Sequence, residues 1–413
     1  MDRYCRSFAA AYNGRDENGF GEIVKLRGDV AYDVSMAHAT CMNMGLSDGM
    51  SHWCWKHLEA ETCIAQGRLK DALVPQTEAF DKFIDEYRNE GGWLIPCLKT
   101  MVSDTLDLAK RIEATVPASN GSALKEAKRL FESCFRFTIM GRASTADSFR
   151  KRGVALYLVN SLFRVFFALK SLQLCRNVIK TVYMPTFPEM DTFTIAQRVT
   201  YHYYLGRILI LEDKVEEARE AFQYALEHCH KKASKNINLL LQFLIPINLF
   251  YGKSPLPGLI QNHGLDHLQE LVTSVKNGNV LCLEQMLERF QDLFISQGLF
   301  LTLQNLKLVS YRNLFRSVVL LYQETAPEKM KTRVALNLFI QPFILFGEKS
   351  AFKLMNVTDI ATSETLVKEQ VRCILSNLIF KKYIKGYISH EKEILVISPK
   401  DPFPKLNTLV ENN

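Results

Sequence analysis

The strongest constraint on the fold is a helical repeat of apolar residues that runs through most of the chain. From about residue 50 to 320, apolar side chains recur at i, i+3, i+4 and i+7, which places them on one face of an α-helix. The sequence therefore predicts a stack of amphipathic helices, with 47% hydrophobic residues available for its core. Turn-forming residues interrupt the pattern at residues 89–92, 117–121, 141–145, 184–188 and 252–255.

Two helix pairs have the small-residue spacing of tetratricopeptide repeats. In the better match, Gly206 precedes Ala218, Phe222 and Ala225, so small side chains fall where two antiparallel helices must approach closely. In the weaker match, residues 67–79 repeat the spacing of the turn and second helix. An ordinary helix hairpin is the alternative for both, and together the pairs favour a degenerate solenoid.

The last hundred residues predict three helices followed by a β-hairpin, which is the order of a winged helix. After the third helix, two short apolar runs read as strands that a four-residue turn joins. Two prolines then end the hairpin, and we expect the tail to be mobile. The predicted helices are at 310–322, at 334–346 and after a cap at Thr362-Ser363, and the predicted strands are at 385–389 and 394–398.

Almost all of the net positive charge lies in the last quarter of the chain. Residues 301–413 contain 16 Lys and Arg against 10 Asp and Glu, whereas residues 1–300 contain 35 against 34. A local positive excess attracts phosphate or acidic peptide, although an excess of this size is also compatible with an ordinary solvated surface.

The ten cysteines are scattered through apolar segments without a CxxC pair, so we expect reduced thiols in the cytosol or nucleus. The N-terminus lacks the pattern of a secretory signal peptide. Two charge-free stretches, 236–252 and 334–347, contain Pro246 and Pro342. We expect both to be buried helices and not membrane spans.

A helical repeat that continues into a winged helix resembles the PCI domain, the subunit module of the proteasome lid, the signalosome and translation initiation assemblies. Longer strings are similar to the PCI domain-containing protein 2 family over residues 150–405. These strings are residues 194–207, 225–230, 311–315, 371–379, 384–390 and 401–404. The predicted domains are N-terminal helical repeats at 1–190, a TPR-like helical part of the PCI domain at 191–305, its winged helix at 306–400, and a mobile tail at 401–413.

The resemblance implies a subunit of the second transcription-export complex, which links transcribed genes to nuclear pores and promotes messenger RNA export. It implies a hetero-oligomer with two partners: a large PCI scaffold of the germinal-centre-associated nuclear protein type, and a small acidic subunit of the DSS type. Paired winged helices of the large subunits would bind RNA or double-stranded DNA. The implied location is the nucleus, including the nuclear pore, and the cytoplasm is also compatible. The alternative is a protein-only PCI subunit of a proteasome-lid or signalosome-like particle.

Lysines at two protruding parts of the winged helix are the main candidates for nucleic-acid contact, because lysine gives sequence-independent affinity for phosphate. Packing on a partner, or the helix dipole alone, would also explain them. A basic loop between two repeat helices is a further candidate, with a solvated loop as its alternative. The candidates are Lys381, Lys382 and Lys385 at the third helix, Lys392 in the wing, Lys231, Lys232 and Lys235 in the loop, and Arg316 on the first winged-helix helix.

For the acidic partner, we expect a site where the last repeat joins the winged helix. Basic and aromatic side chains there would meet aspartates and aromatic residues. Ion pairing with nearby carboxylates of the chain is the alternative for Arg312, as it is for Arg316 one turn further along the helix. The candidates are Arg198, Tyr201, Arg207 and Arg312.

A catalytic role has no support in the sequence. No phosphate-binding loop, nucleophile elbow or zinc-protease motif occurs, and we expect no cofactor or resident metal. His228-Cys229-His230 is the only cluster that suggests an enzyme. Because residues two apart on a helix point roughly 200° away from each other, the two histidines cannot chelate one ion together while the helix holds, and only a frayed helix end would evade this argument. An enzyme that acts through Cys229 stays the remaining alternative.

Overall fold

The computed structural model describes residues 2–90, 92–115, 120–140, 146–347 and 360–410. The chain forms two compact units, Met1–Tyr204 and Leu205–Asn413, and the predicted domain boundaries stay a prediction. The helices that begin in the first unit are α1 (Asp2–Asn13), α2 (Glu17–Ile23), α3 (Val34–Met42), α4 (Asp48–Ala65), α5 (Leu69–Asn89), α6 (Ile95–Thr115), α7 (Ser122–Met140), α8 (Ala146–Arg152), α9 (Ala155–Ala168), α10 (Leu172–Val182) and α11 (Ile195–Leu211), which ends in the second.

The second unit adds further helices and a small sheet. The helices are α12 (Val215–His228), α13 (Ser234–Phe250), α14 (Leu259–Asn262), α15 (His267–Asn277), α16 (Val280–Arg289), α17 (Gln291–Gln297), α18 (Phe300–Thr325), α19 (Ile340–Phe346), α20 (Ile360–Phe380) and α21 (Leu406–Val410). The strands are β1 (Arg333–Ala335), β2 (Gly386–Ser389) and β3 (Ile394–Ile397). Short 3₁₀ turns occur at Gly92–Leu94, Met190–Thr192, Glu328–Met330 and Leu336–Phe339. Among the described residues, no helix has the length and apolar character that a membrane crossing requires.

The two predicted tetratricopeptide pairs turn in the same way. Gly67 between α4 and α5 has φ +73°, and Asp213 between α11 and α12 has φ +61°. In both turns, the N–H of the next residue donates to a carbonyl five residues back at 2.9 Å, which is the Schellman ending of a helix. The shared geometry explains why residues 67–79 repeat the spacing of 213–225.

Gly206 is the close-contact position of the better pair. A Cβ added at Gly206 would lie 2.8 Å from the ring of Phe222, and Ala218 and Ala225 are fully buried on the same helix as that ring. The nearest neighbour of Gly206 is therefore the aromatic ring, whereas the sequence suggested the two alanines. A larger side chain at 206 would separate α11 from α12.

The C-terminal module is a winged helix with one more strand than expected. The antiparallel sheet has the order β1-β3-β2, and β2 and β3 confirm the predicted hairpin. The predicted helix at 334–346 is wrong in its first half, where Val334 lies in β1 opposite Leu395 and a 3₁₀ turn follows. Only α19 is α-helical in that stretch. Thr362 and Ser363 lie inside α20, which begins at Ile360, so neither is its cap.

Four elements of this module contribute to one apolar core. Phe315 of α18, Phe339 of the 3₁₀ turn, and Val371 and Leu375 of α20 are fully buried in it, together with Leu395 of β3. The sequence predicts a mobile tail, whereas in the structure two of its side chains, Phe403 and Leu406, are only 9% and 6% exposed. The tail therefore packs as part of this unit at those residues.

Candidate functional site

The exposed lysines that the sequence indicates directly follow the third winged-helix helix, α20. The N–H of Lys382 donates to the Ile379 carbonyl at 2.9 Å, and the N–H of Tyr383 donates to the Leu378 carbonyl at 2.8 Å. Lys382 adopts φ +61°, so the helix closes in a Schellman ending at that residue. Lys381 and Lys382 are exposed at the helix end where the dipole favours positive charge.

Lys385 is placed differently from its two neighbours. Its ammonium lies 3.2 Å from a carboxylate oxygen of Asp401, and its backbone N–H donates to the Pro402 carbonyl at 2.9 Å. Lys385 therefore helps to attach the tail to the hairpin, and its ammonium group is ion-paired with the Asp401 carboxylate. Lys382 and Lys385 both line a cavity of about 540 Å³ at this end of the helix.

Two exposed aromatic side chains belong to the same module, and the sequence reading missed both. Phe380, the last residue of α20, is 85% exposed, and Tyr387 of β2 is 62% exposed. Exposed rings next to lysines are typical of surfaces on which bases stack, or of an apolar contact with a partner protein. The sequence does contain a signal for Phe380, because this aromatic residue lies directly before two lysines, Lys381 and Lys382.

Lys392 lies at the tip of the wing, in the turn between β2 and β3, and is exposed. The neighbouring Glu393 forms an ion pair with Lys368 and lies 3.8 Å from Arg372, both on α20. The hydrogen bond from Lys368 holds the pKa of Glu393 below its usual value. The tip that carries Lys392 is thus tied to the helix that carries the other lysines.

A second basic surface, which we call the basic groove, lies between the ends of α13 and α15, the middle of α18 and the tail. It is a cavity of about 510 Å³, and no acidic residue is among the described residues that line it. Among the cations of the basic groove, the sequence pattern indicates only Arg312 and Arg316, because the others are single lysines far apart in the chain. The cations of the basic groove are Lys253, Lys276, Arg312, Arg316 and Lys405.

Arg312 is a structural residue, which corrects the expectation that it meets an acidic partner. It is 6% exposed, and one guanidinium nitrogen donates to the carbonyls of Phe403 at 3.2 Å and Pro404 at 2.6 Å. Burial, and then the charge of Arg316, lower the pKa of Arg312 to about 10. Arg316 is exposed on the next turn of α18, so of these two arginines it is the one a ligand can reach.

Of the other candidates for the acidic partner, one is buried and two make contacts within the chain. Tyr201 is 1% exposed, which corrects its assignment as a partner contact. Arg198 lies 2.6 Å from Asp191, and the guanidinium of Arg207 lies 5.8 Å from the ring centre of Phe243. For Arg198 and Arg207, binding to a partner stays a prediction.

Of the three basic-loop candidates, Lys231 and Lys232 lie between α12 and α13, whereas Lys235 lies in the first turn of α13. All three are exposed, and their contact with nucleic acid stays a prediction. The cluster before the loop, His228-Cys229-His230, makes contacts within the chain that explain it without a ligand. Nδ1 of His228 lies 2.9 Å from the Tyr224 carbonyl, and the two rings stack at 4.1 Å. Burial raises the pKa of Cys229, which favours a neutral thiol over an activated nucleophile.

Known proteins resemble this chain over most of its length. A family model described as the PCI domain matches residues 287–399. PCI domain-containing protein 2 of Xenopus laevis is 32% identical over 359 residues, which cover 86% of this chain and 84% of that protein. The protein of the same name in Danio rerio is 27% identical over 419 residues, covering 99% and 98%. A protein of Mycosarcoma maydis named Protein CSN12 homolog is 26% identical over 363 residues, covering 83% and 76%.

The helical repeats, the winged helix and the matched domain define a PCI-domain protein, a class whose members are subunits of multi-protein complexes. These matches point to such a subunit and not to a catalytic family. The chain belongs to the PCI domain-containing protein 2 family, since the Xenopus protein is matched over more than four fifths of its length.

Proposed function

We propose that this chain is a non-enzymatic subunit of the second transcription-export complex, in which its winged helix binds RNA without reading its sequence. The observation that carries the proposal is the end of α20, where exposed Lys381 and Lys382 follow the exposed ring of Phe380. Lysines there would contact phosphates, and an exposed ring gives a base a surface to stack on.

The basic groove supports the proposal independently. Lys253, Lys276, Arg316 and Lys405 line one cavity without an acidic side chain among its described lining residues. A concave surface of one charge concentrates the field and attracts a polyanion. The winged helix and the groove would then give the RNA two places to make phosphate contacts on the second unit.

The proposed assembly is a heterotrimer, with double-stranded DNA as a further ligand of the same platform. The partners are a large PCI scaffold of the germinal-centre-associated nuclear protein type and an acidic DSS-type subunit. The proposed location is the nucleus, including the nuclear pore. The name of the relative in Mycosarcoma maydis favours a second candidate, a protein-only PCI subunit of a signalosome-like particle. In that case Phe380 would pack against protein.

The test is RNA binding by the purified heterotrimer as a function of salt. We expect Lys381→Glu with Lys382→Glu to weaken binding at least about tenfold and to reduce the slope of log affinity against log salt by about 1.4, since each phosphate contact with a single strand contributes about 0.7. The matched control is Lys70→Glu with Lys110→Glu, which changes the net charge equally at two exposed lysines of the first unit.

A heterotrimer that assembles and binds RNA equally well with both double variants would remove the end of α20 from RNA binding. A wild-type heterotrimer that binds no RNA at low salt would favour the protein-only subunit. Phe380→Ala separates the two roles of the ring, because a stacking ring affects RNA affinity whereas a packing ring affects assembly.

A further inference from the structure

Three cysteines from three different helices meet inside the first unit. Cys5 of α1, Cys41 of α3 and Cys54 of α4 place their sulfur atoms within 4.8 Å of one another. The Sγ atoms of Cys5 and Cys41 are 3.8 Å apart, and all three residues are at most 1% exposed. The residues are far apart in the sequence, which is why no ligand-spacing motif revealed them.

The distance between the sulfurs fits ligands of one ion. A thiophilic ion with metal–sulfur bonds of about 2.3 Å holds its tetrahedral sulfur ligands roughly 3.8 Å apart, and a trigonal arrangement with the same bond length separates them by roughly 4.0 Å. A disulfide would need about 2.05 Å. The 3.8 Å between the sulfurs of Cys5 and Cys41 therefore fits two ligands of one ion and is too long for a disulfide.

A buried histidine next to the cluster is a candidate for a fourth ligand. His57 follows Cys54 by one turn of α4, so both project from the same face of that helix. His57 is fully buried, and neither of its ring nitrogens has a hydrogen-bond partner in the structure, a state that is costly in a protein interior. Its ring stacks at 6.1 Å on Tyr4, the residue before Cys5.

An open cavity lies beside residues next to the cluster, whereas the three cysteines are not part of its described wall. The cavity has a volume of about 550 Å³, and Tyr4 and His57 both form part of its wall. Glu61 and Tyr32 line the same cavity. A plausible site needs an entry path as well as its ligands, and this cavity extends as far as those neighbouring residues.

We propose that Cys5, Cys41 and Cys54 form a structural site for a thiophilic d¹⁰ cation, Zn²⁺ or Cu⁺, which fastens α1 and α3 to α4. Each thiol that binds the ion gives up its proton to solvent as the metal–sulfur bond forms. Cu⁺ is satisfied by three thiolates, whereas Zn²⁺ prefers a fourth ligand, which His57 supplies after its side chain rotates. Neither case involves a change in oxidation state.

The test is the metal content of the full-length chain, purified under reducing conditions and loaded anaerobically with either Zn²⁺ or Cu⁺. Wild type is expected to retain one equivalent of one of the two ions and to gain about 5 °C or more in Tm. Cys41→Ser and Cys54→Ser are expected to lose both the ion and the gain. The matched control is Cys97→Ser, since Cys97 is equally buried in the first unit but outside the cluster.

His57→Ala identifies the ion, because it abolishes retention of Zn²⁺ but leaves retention of Cu⁺ intact. Circular dichroism on each variant confirms that serine preserves the helical fold. Retention of the ion by Cys41→Ser at the wild-type level would overturn the proposal. A wild-type chain that retains neither ion, or that contains a Cys5–Cys41 disulfide by mass spectrometry, would overturn it too.

Discussion

Glu61 in the first unit and Arg312 in the second are buried charged side chains. Each holds an irregular segment of the chain through hydrogen bonds to the backbone of that segment. Glu61 is 7% exposed and Arg312 is 6% exposed. The two residues use opposite charges for equivalent tasks, because a carboxylate accepts hydrogen bonds from N–H groups and a guanidinium donates to carbonyl oxygens.

Glu61 holds the segment that leads from α2 to α3. Its two carboxylate oxygens accept the N–H groups of Arg27 at 2.5 Å and Gly28 at 2.7 Å. Gly28 has φ +69°, and a Cβ there would lie 2.4 Å from Cγ2 of Ile64. Only glycine fits this position, because any larger residue would clash and be strained.

Arg312 holds the tail in the same manner, through the carbonyls of Phe403 and Pro404. Its guanidinium also donates to the side-chain oxygen of Asn313 at 3.0 Å. A charged side chain that already forms hydrogen bonds to backbone groups of its own chain is a poor candidate for binding a partner. The exposed cations, such as Arg316 and Lys381, are the better candidates.

The largest effect that tests this comparison is expected from Arg312→Met. Removing the guanidinium leaves two carbonyls without their donor, which should cost about 3 kcal/mol. The tail should then detach, so hydrogen exchange around Phe403 and Leu406 should accelerate. The control is Arg316→Met on the same helix, for which we expect less than about 0.5 kcal/mol. A tail that stays protected in Arg312→Met would show that its apolar contacts alone hold it.

A smaller effect is expected from Glu61→Gln. The amide keeps one acceptor oxygen but faces the second backbone N–H with its own N–H₂ group, so we expect a loss of about 2 kcal/mol. Tryptophan fluorescence during urea unfolding measures it selectively, because the three tryptophans, Trp53, Trp55 and Trp93, all lie in the first unit. Glu59→Gln on the same helix is the control. Equal unfolding midpoints for the two variants would contradict the anchoring role of Glu61.

The sequence predicted the elements whose pattern repeats over many residues. The helical stack, the α11–α12 pair and the β2–β3 hairpin follow from apolar periodicity and small-residue spacing. β1 was missed because Arg333–Ala335 shows only one buried residue between two exposed ones, too short for an alternating pattern. The predicted start of α20 is three or four residues late because hydroxyl residues are frequent caps but also occur inside helices.

The site was harder to predict because burial depends on contacts between distant residues. Arg312 and Arg316 look alike in the sequence, and what separates them is a pair of hydrogen bonds from Arg312 to residues 91 and 92 positions away. The cysteine cluster likewise joins residues 36 positions apart. Lys381 and Lys382 were easier to propose, because an exposed helix end needs no distant contact to be exposed.

The smallest effect is expected at Asp104, which, like Glu61, holds the backbone of the segment between α2 and α3. Its carboxylate accepts the N–H of Leu26 at 2.8 Å, and burial raises the pKa of Asp104 to about 6. Between about pH 4 and 6 the unfolded carboxyl loses its proton before the folded one, so stability falls as the pH rises and the loss is complete above the folded pKa.

Asp104→Asn cannot titrate, and its side-chain oxygen can still accept the N–H of Leu26. Its stability relative to wild type should therefore rise by about 1 kcal/mol from pH 4 to pH 7, a value reduced for the partial exposure of the group. Urea unfolding followed by tryptophan fluorescence at each pH measures the difference. Asp85→Asn, at an exposed position of α5, corrects for the loss of one negative charge. A corrected difference that is constant with pH would mean that Asp104 ionises equally easily in the folded and unfolded chain.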